Sequence, residues 1–107
     1  MSEKNLKMIK GDTLAFGLEI EGLDQDLDTA YFTCKQDKNS DTPIFQKSLN
    51  DGISKVETGQ YRVRIAPADT RNLEEGNYYY DLQIGVNSDI FTIMIGVLKI
   101  TQDITTN

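Results

Sequence analysis

Few residues in this sequence have the types and spacing for chemistry. Histidine is absent from all 107 positions, which removes the commonest general base, the commonest metal ligand, and any Ser-His or Cys-His nucleophile pair. The one cysteine, Cys34, falls in phase with Ala30 and Phe32 on the apolar side of an alternating run. A thiol placed there packs as a small hydrophobe and is no exposed nucleophile. Asp24, Asp26 and Asp28 stand at alternate positions, as at the start of a helix-loop-helix calcium loop. Such a loop needs glycine at its sixth position and a bidentate glutamate at its twelfth, so that the chain can turn around the ion. Those positions hold Thr29 and Lys35, and the three acids read as solvated loop carboxylates. Lys10-Gly11-Asp12-Thr13 has a lone glycine and lacks the run of backbone donors that cradles phosphate. No two of the 17 acidic residues are marked as partners across a cleft. The expectation is therefore a protein with no enzymatic activity, no metal and no cofactor.

Non-catalytic function points to surfaces, and the charge balance restricts which ones. With 11 basic residues against 17 acidic, the formal net charge is -6, and the long-range field repels a phosphate backbone. Lys4, Lys7 and Lys10, and further on Arg62, Arg64 and Arg71, are interleaved with acids or widely spaced, so nucleic acid is not an expected partner. The longest apolar run, Ile90 to Leu98, lies between Asp89 and Lys99 and falls far short of the roughly 20 residues a membrane helix needs. No N-terminal stretch has the layout of a signal peptide, and export by an ordinary signal is not expected. A lone cysteine leaves no internal disulfide, so the fold must rest on packing. Its length suits one domain spanning residues 1–107.

The elements that build those surfaces are strands. Leu14, Phe16, Leu18 and Ile20 alternate with Thr13, Ala15, Gly17 and Glu19; Ala30, Phe32 and Cys34 alternate with Tyr31, Thr33 and Lys35; Tyr61, Val63 and Ile65 alternate with Arg62 and Arg64. This two-residue period is that of strands with one wet face. Shorter strands are expected at Leu6 to Ile9, Ile44 to Ser48 and Ile53 to Val56, with a tight hairpin at Asn50-Asp51-Gly52. Pro67 to Leu73 reads as one helical turn opened by proline and ended by Gly76. Thr105 to Asn107 is expected to fray.

Gly76 precedes Tyr78 by two residues at the start of a tyrosine-rich strand. That spacing is the tyrosine corner of immunoglobulin-like sandwiches, in which the ring packs inward and its hydroxyl bonds backbone upstream. It places the Tyr78 hydroxyl on backbone near Asp69 to Leu73, and the inward face continues through Tyr80, Leu82 and Ile84. Together with turns every eight to twelve residues, the corner predicts an all-β, antiparallel immunoglobulin-like β-sandwich of about seven to nine strands. The last strand, Ile90 to Ile100, is apolar on both faces: Phe91, Ile93, Ile95 and Val97 on one, Met94, Leu98 and Ile100 on the other. One face fills the core, and Thr92, Met94 and Leu98 are assigned to an interface, since an exposed apolar row marks a contact surface. The alternative is a β-bulge at Gly96 that switches the facing of later residues and returns Leu98 and Ile100 to the core.

Three stretches carry a family resemblance: Lys10-Gly-Asp-Thr-Leu-Ala-Phe-Gly-Leu; Ala66-Pro-Ala-Asp-Thr followed by Leu73-Glu-Glu-Gly-Asn-Tyr-Tyr-Tyr-Asp-Leu-Gln; and Phe91-Thr-Ile-Met-Ile-Gly-Val-Leu-Lys-Ile-Thr-Gln-Asp-Ile-Thr. In this order the chain resembles the immunoglobulin-like β-sandwich domains of tailed-bacteriophage structural proteins, notably the N-terminal domain of baseplate upper proteins and small tail-associated proteins. The resemblance spans about residues 10 to 105. It implies a non-enzymatic building block of a phage or prophage tail or baseplate. Such a block is synthesised in the bacterial host cytoplasm, carried in the virion, and joined to other phage structural proteins or to itself as a homo-oligomer. Two alternatives stay open on the sequence: a small phage-encoded binder that inhibits a host protein, and a bacterial surface adhesion module.

Overall fold

In the computed structural model, residues 2–102 are described, and the segment expected to fray lies outside them. The chain order is β1 (Ser2–Glu3), β2 (Leu6–Ile9), β3 (Leu14–Glu19), β4 (Thr29–Lys35), β5 (Phe45–Leu49), β6 (Gly52–Glu57), β7 (Gln60–Ile65), α1 (Pro67–Thr70), β8 (Gly76–Val86) and β9 (Asp89–Thr101). Each long alternating run of the sequence is a strand. The helix is a single turn, shorter than the Pro67 to Leu73 span.

Hydrogen-bonded neighbours divide into two layers. A front layer runs β9-β8-β4-β5, with β1 and β2 both on the free side of β9, and a back layer runs β6-β7-β3. Among the described residues, strand pairing joins the layers only at Ser48 opposite Gly52 and Leu49 opposite Ile53, where the chain passes from one to the other. Asn50 and Gly52 do take positive φ, 66° and 99°. The tight turn is there, Ser48 and Asp51 exchanging both backbone hydrogen bonds, but the pairing of its flanking strands as a hairpin is corrected: β5 and β6 register in parallel, as the chain passes into the opposite layer.

Inward side chains from both layers make one core. Phe32, Cys34, Leu82, Leu98 and Ile100 come from the front, and Ile53, Tyr61, Val63 and Ile65 from the back. Phe32 sits at the centre, stacked on Tyr80 at 5.0 Å and meeting Phe16 of the back layer edge-on at 6.1 Å. Burial raises the Cys34 thiol to about 12, so it stays protonated and packs as an apolar group.

The fold is all-β and immunoglobulin-like, and its corner is present. Tyr78 is 7% exposed, and its hydroxyl donates to the Glu74 carbonyl at 2.6 Å, one residue beyond the expected stretch. Gly76 takes φ 152°, a conformation L side chains rarely adopt, and so lets the chain enter β8 at that angle. The purely antiparallel arrangement is corrected at one edge: β1 and β2 run parallel to β9, since the first strand comes to the far side of the last.

Candidate protein-contact face

The last strand decides which side chains face outward, and its phase changes midway. Leu82 opposes Met94 while its successor Gln83 opposes Thr92, so Ile93 is an extra residue in β9, a β-bulge. Beyond it, Met94, Leu98 and Ile100 turn to the core at 8%, 0% and 1% exposure. The interface assigned to Thr92, Met94 and Leu98 is thereby corrected: the bulge at Ile93 puts the latter two inside. Thr92 keeps an outward position, within 3.5 Å of the Gln83 amide.

Gly96 is not the bulge but a seat. A Cβ there would lie 1.9 Å from the Lys4 carbonyl oxygen, so only glycine lets the N-terminal segment cross β9 at that height. The crossing is pinned three times. The Lys4 amide donates to the Ile95 carbonyl at 2.9 Å, the Val97 amide donates to Asn5 Oδ1 at 3.1 Å, and the Tyr80 hydroxyl donates to the Lys4 carbonyl at 2.5 Å. Burial pushes that hydroxyl up to about 12, which keeps its proton in place as the donor.

With the phase fixed, the outward face of the front layer can be read row by row. Val97 lies beside Tyr79 and Tyr79 beside Lys35; Ile95 lies beside Asp81, Asp81 beside Thr33, and Thr33 beside Gln46, whose amide donates to the Thr33 hydroxyl at 2.9 Å. Tyr31 follows at 39% exposure. Thr33, Lys35, Tyr79, Asp81, Ile95 and Val97 surround a shallow depression of about 420 Å³ that also touches Glu3, Asn5 and Lys38, with Tyr31 outside it. The Lys38 ammonium sits 5.3 Å from the centre of the Tyr79 ring, a cation–π distance. Partial burial among these neighbours raises the Asp81 carboxyl above its ordinary range, and the Lys35 charge offsets part of the rise.

The sequence held both apolar rows of β9 but not the phase that assigns them. Tyr31 and Thr33 were read as the wet side of their strand, and the signal they carry is that this side is aromatic and short-polar where most wet faces are charged. The Asp24, Asp26 and Asp28 group is dispersed: Asp26 pairs with Lys55 at 2.6 Å, and Asp28 accepts the Asn87 amide at 3.0 Å. Among the described residues no three or more Asp, Glu, Cys or His side chains form a group that could hold a metal ion.

The arrangement is that of an immunoglobulin-like sandwich presenting one broad face. No family model matches the chain, and no curated protein matches it in sequence. Among solved structures it is similar to the extracellular domain of the voltage-gated sodium channel β4 subunit, whose parallel homodimers are described as explaining its role in cell–cell adhesion. That similarity has 12% identity and a TM-score of 0.48 over 95% of this chain and 93% of the other.

Proposed function

We propose that this chain is a non-enzymatic contact module that joins a larger protein assembly through the outward face of its front layer. One observation carries the proposal. On a chain of net charge -6, Thr33, Tyr79, Ile95 and Val97 form adjoining rows around a depression whose bordering charges are Glu3, Asp81, Lys35 and Lys38, two of each sign, and Tyr31 is exposed on the next row. Contact there buries apolar and aromatic area without the like-charge repulsion that the rest of the surface offers to another acidic protein. The assembly we assign is a tailed-phage or prophage particle, at its tail or baseplate, on the strength of the three resembling sequence stretches.

The test is incorporation into particles. In phage particles produced with the Ile95→Glu, Val97→Glu double variant, the chain is expected to be missing by mass spectrometry while the variant remains folded in the lysate. Undiminished incorporation would show that this face is not the contact. Absence of the wild-type chain from purified particles would remove the assembly assignment.

A further inference from the structure

The back layer ends in an unfinished edge. β3 is paired along one side only, with β7, because both N-terminal segments lie on β9 and none of the described residues reaches the other side of β3. The core shows the gap. The inward residues of β7, Tyr61, Val63 and Ile65, are 2%, 0% and 0% exposed, whereas their neighbours Leu18, Phe16 and Leu14 on β3 are only half-buried. Exposed edges are ordinarily blunted by lysine, proline or a bulge. Leu14–Glu19 contains neither residue, and its register with β7 is unbroken.

Backbone phase shows which groups are free to bond. The Ile20 amide donates to the Gly59 carbonyl at 2.8 Å, and in an antiparallel ladder the bonded residues alternate. Leu14, Phe16 and Leu18 therefore direct their backbone groups to β7, and Ala15, Gly17 and Glu19 direct theirs to the open side. On the outward face Ala15 lies beside Arg64 and Gly17 beside Arg62. Both arginines are exposed, and neither forms an ion pair with a described residue.

We propose that β3 pairs antiparallel with β3 of a second copy, around a twofold axis at Gly17, fusing the two back layers into one continuous sheet. In this register Gly17 meets Gly17, Ala15 meets Glu19, Phe16 meets Leu18 and Leu14 meets Ile20. Every free backbone group then faces another, and the half-buried apolar residues cover one another. Glu19 of the partner subunit stands beside Ala15, whose far neighbour is Arg64. Two strand spacings, about 10 Å, separate the glutamate and arginine backbones. Over the small alanine the extended side chains meet, and symmetry makes the ion pair twice. Sliding the register by two residues one way moves Glu19 onto Thr13 and off the arginine row. Sliding it the other way draws Gly22, at φ 78°, into the ladder. This dimer uses a surface separate from the front face and stands or falls independently of the proposed function.

Sedimentation equilibrium on the full chain tests it. The wild-type mass is expected to rise toward that of two chains at concentrations up to about 1 mM, and the Ile95→Glu variant is expected to do the same. Gly17→Pro removes a free edge amide and is expected to stay a single chain with an unchanged far-ultraviolet spectrum. Glu19→Arg and Arg64→Glu are each expected to weaken association roughly tenfold, and the two together to restore it. A wild-type mass of one chain throughout overturns the proposal, as does association that survives Gly17→Pro. If Gly17→Pro does not fold, the charge exchange decides: restoration by the double variant supports this register, and failure to restore overturns it.

Discussion

Two glycines, each in an outer strand of its layer, do opposite work. At Gly96 the edge of β9 is sealed: the Lys4 carbonyl sits where a side chain would begin, and three hydrogen bonds hold the crossing segment down. At Gly17 the edge of β3 is open, with nothing within 4 Å of an added Cβ. Both strands belong to one sandwich and bury residues in one core, yet one edge has been covered by the chain itself and the other left available. The difference shows that ordinary pairing with β1 and β2 closes the β9 edge on either side of Gly96, while the missing side chain there lets the Lys4 backbone pass between them.

The sharpest way to break this comparison is Gly96→Ala. The Lys4 segment would have to lift off β9 or β9 would have to shift, and the expected loss is about 3 kcal/mol in equilibrium denaturation. A loss no greater than that of Gly17→Ala would mean that the N-terminal crossing is not held in place. Next in size is Tyr80→Phe, expected to cost about 1.5 kcal/mol because the Lys4 carbonyl loses its donor and the N-terminal crossing loses one of its three hydrogen bonds. Tyr78→Phe, at the corner, is expected to cost about 1 kcal/mol by the same measurement, since Glu74 beside it is exposed and water can replace the lost donor.

Gly17→Ala should move the other way, adding about 0.5 kcal/mol, because alanine loses less backbone freedom in a strand and meets nothing there. The smallest effect concerns Asp81. Its folded carboxyl titrates above its unfolded value of about 3.9, so the native state holds the proton to higher pH. The penalty from this group is fully present above the folded value and absent below the unfolded one. Stability measured against pH should therefore rise on acidification through that window, and Asp81→Asn should flatten the rise.

How far the sequence reveals these edges depends on the kind of information each needs. Alternation located β3, β4 and β7 because one side of each strand is plainly more apolar than the other. The corner was legible too, since Gly76 and Tyr78 stand at a spacing that only a few backbone paths satisfy. In β9 the same method loses its footing: with Ile, Val, Met and Leu on both sides, alternation reports a strand but not its phase, and the extra residue is an isoleucine with no local mark. The route of the first strand was equally silent. Gly96 looked like a candidate bulge, and its real role depends on Lys4, a residue 92 positions earlier in the sequence, passing over it. The turn at Asn50 to Gly52 was located by residue type, but whether it reverses the chain or carries it across depends on which layer β6 joins.

The pairing of β2 with β9 joins Leu6–Ile9 to residues at the far end of the chain, Leu98 to Thr101. On the ribosome, the earliest residues made must wait for nearly the last before this ladder can form. The N-terminal segment therefore spends synthesis exposed, and the sandwich closes only after residue 101 has cleared the exit tunnel. Folding dominated by such distant contacts is slow, in the range of about milliseconds to seconds. During that interval both β3 and β9 present free edges, and chains crowded on one messenger meet one another before either edge is sealed.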